Sequence, residues 1–194
     1  MSNTTYPIDN PYQAPESELI QSDATTPLFV VSTKKLFILY ITTFGMYGFV
    51  WFYQHYKEIR ISTGSGIQPA LRSLFSIFFA HNLFKRIHTA AKAEGAPANW
   101  SHMALATAYV AIGILWTFGD LIAEMAILMG FVYIPLTAYI LSQVEATANA
   151  MQNDDRGTRN ARFTILNILW SFVGLLAWLV MLIFAAELSG LIPA

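Results

Sequence analysis

No lysine or arginine occurs between Lys92 and Arg156, and this cation-free run, from Ala93 to Asp155, holds enough apolar sequence to cross a bilayer twice. Basic residues of membrane proteins collect on the cytoplasmic side, so a long gap bounded by cations is the pattern of a hairpin that leaves that side and returns to it. Composition agrees. With 55% hydrophobic and 12% charged residues and a mean hydropathy of +0.47, the chain has about half the charge of an ordinary soluble domain. The expected class is an all-α integral membrane protein folded as one unit, with no segment long enough for a separate soluble domain.

The hairpin consists of 100–118, which has no charged residue, and 122–142, whose only charge is Glu124. At about 1.5 Å per residue each reaches roughly 28 to 32 Å, the thickness of a bilayer core. The connection Gly119-Asp120-Leu121 forces the two to run antiparallel. Small residues at one-turn spacing, Ala104/Ala108 and Ala126/Gly130, suit close helix contact, and Pro135 suits a kink. The second helix should run on into water to Asn153, within a cytoplasmic segment 143–162. A third span follows at 163–186, uncharged throughout, with a more polar start at Asn167, Ser171 and Gly174.

The segments before residue 100 are less regular. Residues 1–33 contain Asp9, Glu16, Glu18 and Asp23, no cation and four of the eight prolines, so they lack the basic and apolar regions of a signal peptide and read as a disordered cytoplasmic tail. Within it, Asn10-Pro11-Tyr12-Gln13-Ala14-Pro15 is either a plain leader or a short docking motif. The next segment, 34–60, carries an apolar block from Leu36 to Tyr56 that is dense in aromatics. It is interrupted at Thr42-Thr43-Phe44-Gly45-Met46-Tyr47-Gly48, where two glycines and two β-branched residues weaken helix and favour a bend. Cations flank it on both sides, Lys34/Lys35 and Lys57/Arg60, which favours a kinked or re-entrant block over a straight crossing. Segment 69–93 opens on Pro69, a first-turn residue, but its apolar centre Leu74–Phe84 is only about half as long as a span requires. With Arg72 before the centre and Lys85, Arg86 and Lys92 after it, this segment reads as an interfacial helix, a short-cored span being the alternative.

Orientation follows from counting cations. With 143–162 cytoplasmic, a re-entrant first block puts all eleven on one side, whereas a single crossing leaves nine there. The expected topology is N-terminus cytoplasmic and C-terminus periplasmic, with three full spans. A bent first block in lipid must be covered by protein, so the last three helices should pack around Gly45.

Several residue groups invite a chemical reading. Asp120 and Glu124, one helical turn apart at the hairpin tip, are either an ion or proton site or a solvated tip with Asp120 as N-cap. His81 and His88 share a helical face, but Lys85 and Lys92 on that face oppose a bound cation, so contact with anionic headgroups is expected instead of a metal. His55 and His102 carry no further signal. Beyond Gln143, Glu145, Asn149 and Asn153 lie on one face, which is either a solvated stripe or a docking surface. The cluster around Gly45, Tyr47, Gly48 and Trp51 is either core and aromatic belt or a lipid site. There is no cysteine, which excludes disulfides and thiolate chemistry, and a net charge of −1 gives no reason to expect nucleic acid. The motifs of hydrolases, phosphate-binding loops, zinc proteases and dinucleotide folds are not in the sequence.

The run Thr42-Thr43-Phe44-Gly45-Met46-Tyr47-Gly48-Phe49-Val50-Trp51-Phe52-Tyr53 resembles the T-x-G-x-Y-x-x-x-W-type signature of small bacterial membrane families of unknown function. The Asn-Pro-Tyr-Gln-Ala-Pro leader, Phe29-Val30-Val31-Ser32 before the first block, Ser62-Thr63-Gly64 after it, Ser73 to Phe79 and the row Asn167/Trp170/Gly174/Trp178 are similar to one such group in Gram-negative bacteria. The resemblance implies an inner-membrane location and no activity. The resulting expectation is a non-enzymatic protein without cofactor that organises or regulates a partner, through its tail or 143–162. A small oligomeric transporter or channel is the alternative.

Overall fold

Two glycines and two threonines close together divide the first apolar block into two helices, α1 (Thr33–Thr42) and α2 (Tyr47–Thr63). The computed structural model describes residues 27–119 and 123–189, the side chains of 117–119, 123–129 and 188 excepted. Phe44 and Gly45 both take positive φ, 55° and 81°, so the chain reverses within Thr43–Met46. Glycine adopts that conformation freely; for Phe44 it costs about 1–2 kcal/mol. The turn holds because its polar groups are met. The Thr43 hydroxyl donates to the Leu39 carbonyl at 2.6 Å and accepts the Tyr47 N–H at 3.0 Å, while Gly45 N–H donates to the Tyr40 carbonyl at 2.7 Å. Gly48 lies under the Tyr40 ring, where a Cβ would come within 2.9 Å of it.

Segment 69–93 forms two helices instead of the single one expected, α3 (Pro69–Leu74) and α4 (Ser76–Ala93), separated at Phe75. The bend is sharp enough for the Arg72 guanidinium to reach Asn82 Oδ1 at 3.4 Å and to lie 5.0 Å from the Phe79 ring centroid. No glycine or proline marks this break. It arises in tertiary packing, with α3 against α2, α4 against the next helix, and the Tyr56 hydroxyl donating to the Phe79 carbonyl at 2.8 Å.

The remaining helices are α5 (His102–Gly119), α6 (Ala123–Met151, containing Pro135) and α7 (Ile165–Leu188), with a 3₁₀ turn at Thr158–Asn160 before α7. A capping box opens α7: Thr164 Oγ1 accepts the Asn167 N–H and Asn167 Oδ1 accepts the Thr164 N–H. Among the described residues every regular element is helical and there is no strand.

The sequence predicts three helices long and apolar enough to cross a membrane; among the described residues there is one. Ile165–Glu187 of α7 meets the requirement over 23 residues, and its core stretch is only 6% buried. The described apolar part of α5, His102–Trp116, is shorter. In α6 the apolar half continues without a break into Gln143–Met151, which does not run out into water as expected: Val144, Glu145, Thr147, Ala148, Asn149 and Met151 are buried, and only beyond the helix end is Asn153 exposed. Trp51, Phe52 and Tyr56 of α2, Phe84 of α4 and Leu141 and Val144 of α6 are the buried centre of the core.

Candidate functional site

Of the polar stripe Glu145/Asn149/Asn153, by sequence either a solvated face or a docking surface, Glu145 and Asn149 form an internal docking surface, whereas Asn153 lies exposed beyond the end of α6. Glu145 and Asn149 are fully buried, as are Trp51 and His55 of α2. Four-residue spacing puts Trp51/His55 on one face of α2 and Glu145/Asn149 on one face of α6. Glu145 Oε1 accepts the backbone N–H of Val31 at 2.8 Å; Oε2 accepts Trp51 Nε1–H at 2.7 Å and has His55 Nε2 at 2.9 Å. Asn149 Nδ2 donates to the Val31 carbonyl at 2.8 Å. One residue of extended chain is thus held at both backbone groups by side chains from α6.

That residue belongs to a strap, Leu28–Ser32, which runs into α1. Asn160 Nδ2 donates to the Val30 carbonyl at 3.1 Å, and Phe29 sets its ring edge-on to His55 at 5.8 Å. Gly157, at φ 60°, presses on the strap so closely that a Cβ there would collide with the Val31 backbone. Lys35 then ties the start of α1 to the same loop, donating to Asn160 Oδ1 at 2.7 Å and to the Arg162 carbonyl at 2.6 Å. The tail boundary expected near residue 33 is therefore too late, because Leu28 and Val31 are core residues. Residues 1–26, with the Asn10–Pro15 piece, lie outside the described residues.

The loop beyond α6 has its own organiser. Asp154 accepts the backbone N–H groups of Thr158 at 2.8 Å and Arg159 at 2.9 Å. Those backbone donors, Arg159 first, hold its carboxyl well below the usual range, at about 2. Among the described residues, His55 Nδ1 and Asn149 Oδ1 are buried without a hydrogen bond.

A second set of sequence candidates gathers at the α1–α2 turn. Gly174 of α7 lies directly against the Thr42 carbonyl, the Thr42 and Ser171 hydroxyls are 2.9 Å apart, and Trp178 Nε1–H donates to the Ile41 carbonyl at 2.7 Å. The Phe44 ring meets Trp178 edge-on at 5.2 Å. On the other side of the turn is a cavity of about 260 Å³ where Gly45 and Gly48 meet Ser76 at the α3–α4 bend, Tyr109 of α5 and Tyr133 of α6. Tyr47 faces a separate groove of about 400 Å³ toward Asn167 and Trp170 of α7.

Of the residues singled out from sequence, Trp51 and Asn149 meet at the Glu145 cluster, whereas Gly45, Tyr47 and Gly48 belong to the turn. Asp120 lies outside the described residues, as does the side chain of Glu124. His81 sits 3.2 Å from the Thr107 hydroxyl, and the His88 ring packs against Trp100 and His102, each at 5.1 Å. His55 is the residue of the Glu145 cluster that the sequence leaves without a signal. Its four-residue spacing from Trp51 is the available clue, and the partner that gives it meaning lies across the fold. No protein-family model matches this chain, and no curated protein or solved structure is significantly similar to it.

Proposed function

We propose that this chain is a multi-pass inner-membrane protein that acts without catalysis, organising or regulating a partner through an N-terminal tail that leaves the fold at a fixed point. The observation that carries the reading is the strap. Val30 and Val31 are gripped by Glu145, Asn149 and Asn160, so whatever precedes Leu28 is held at one defined exit on the helical bundle.

The membrane part of the reading rests on α7 and its contacts. A 23-residue apolar helix with 6% of its core stretch buried suits lipid as its surroundings. Gly174 lies nine residues into α7, about 14 Å at 1.5 Å per residue, near half of a ~30 Å core. The α1–α2 turn packs at that level, while Lys35 bonds to Asn160 and Arg162 just before α7 begins. This geometry supports a re-entrant first block whose two ends share the side on which α7 starts. Backbone bent inside lipid has to be satisfied by protein, and Trp178, Thr43 and Tyr40 do that here. The charges favour the cytoplasm for that side, with 143–162 beside it, the C-terminus periplasmic, α5 and α6 as the other two spans, and the α3–α4 bend, which meets the turn at Gly45, dipping into the membrane from that side.

Removing residues 1–26 while keeping the strap tests the partner role. Affinity purification from native membranes should lose copurifying proteins while the helical core stays folded; the same proteins copurifying with the shortened chain would contradict it.

One observation favours a second reading, a small oligomeric transporter or channel. The cavity at Gly45 lies where two breaks, the α1–α2 turn and the α3–α4 bend, meet between α5 and α6, and transporters build sites from interrupted helices near the bilayer midplane. That reading predicts a solute flux in proteoliposomes that Asp120→Asn or Glu124→Gln abolishes.

A further inference from the structure

We infer that the acidic segment Glu16–Asp23 docks back onto a basic groove between α2 and α4 in the same molecule. The groove encloses about 550 Å³, and Leu28, Ile59, Asn82, Lys85, Arg86 and Thr89 are among its walls. Asn82, Lys85, Arg86 and Thr89 follow the spacing of one helical face, so α4 offers a strip of polar and cationic side chains beside the apolar floor of Ile59 and Leu28. Leu28 is itself buried there, so the chain preceding the strap starts at this groove.

Charge selects the occupant. Residues 1–26 hold four of the twelve acids, Asp9, Glu16, Glu18 and Asp23, and none of the eleven cations, so they carry −4 while the rest of the chain carries +3. Three of those acids fall within Glu16–Asp23, which also holds Leu19 and Ile20: acids flanking two apolar residues, the complement of two cations beside an apolar floor. Length also fits. Asp23 is five residues before Leu28, within about 17 Å of extended chain, and α4 from Asn82 to Ala93 is about 16 Å long. Lys85 and Arg86 are the cations that this docking covers.

The sequence has no cysteine, so introduced pairs report cleanly. In the full chain in lipid nanodiscs, Ser22→Cys with Thr89→Cys should crosslink within one molecule, well above Ser22→Cys with Asn99→Cys, a position outside the groove. Lys85→Glu with Arg86→Glu should lower the yield by roughly tenfold, as expected for two exposed ion pairs made repulsive. Adding Glu16→Lys, Glu18→Lys and Asp23→Lys should restore it. Crosslink yields equal to the Asn99 control, or a yield insensitive to charge reversal, would overturn the proposal. So would a groove held by anionic headgroups, seen as no crosslink in either zwitterionic or anionic nanodiscs together with loss of copurified anionic lipid on Lys85→Glu/Arg86→Glu.

Discussion

Replacing Glu145 with glutamine keeps the side chain's shape and removes the property the cluster depends on. Both carboxylate oxygens face N–H donors that cannot reverse, the Val31 backbone at Oε1 and the Trp51 indole at Oε2. His55 can change tautomer, but the other two cannot become acceptors. In either orientation the glutamine NH₂ therefore points at a buried donor, leaving at least one unsatisfied at a cost of about 1–3 kcal/mol. If the amide turns toward Val31, the strap is released, and exchange of its amides should speed up roughly 5- to 100-fold. Hydrogen exchange read by mass spectrometry on peptides covering 28–36 measures this, with thermal unfolding in detergent as the global control. Glu145→Ala, which abandons all three donors, should cost more, about 3–5 kcal/mol. Glu187→Gln, at an exposed carboxyl near the end of α7, should leave the strap unchanged. Exchange at 28–36 altered by less than about twofold in Glu145→Gln, together with thermal unfolding unchanged from the parent chain, would refute the reasoning.

Gly157→Ala and Gly64→Ala both place a Cβ at φ near 60°, a cost of about 1–2 kcal/mol, but only the first drives it into the Val31 backbone. Thermal unfolding should show Gly157→Ala as the more damaging, and equal losses would argue that the strap is loosely held. Trp178→Phe removes the donor to the Ile41 carbonyl and should destabilise by about 1 kcal/mol in the same assay, without altering exchange at 28–36. The Asp154 carboxyl is depressed to about 2, so its contribution to ordering the 154–160 loop is present above the ordinary 3.8 and is lost as pH falls through about 2. Exchange of that loop followed down in pH should show the loss, and Asp154→Asn should remove the dependence.

The helices were largely legible because apolar stretches of sufficient length, turn residues and Pro69 act locally. The bend at Thr42–Gly48 is encoded in glycine and threonine and coincides with the break between α1 and α2. The bend at Phe75 is encoded only in packing against α2 and α5, so a local reading carries one helix through it. The Glu145 cluster shows the same limit more sharply. Glu145 and Asn149 were visible as a stripe, but their partners are about 90 and 118 residues away in sequence. An unpaired acid on an isolated helix reads as solvated because its donors come from elements whose arrangement no local pattern supplies. Val31 was less visible still, since backbone N–H and C=O groups carry no side-chain signature.

The central claim is that the first apolar block enters the membrane and turns back at the level of Gly174. Spin labels on single cysteines at Lys34, Met46 and Lys57, introduced into the cysteine-free chain and read for collision with oxygen and with a water-soluble relaxant in lipid vesicles, test it directly. Re-entry predicts water-soluble collisions at 34 and 57 and oxygen-dominated collisions at 46, near the bilayer centre. A label at 46 as accessible to water as those at 34 and 57 would contradict it.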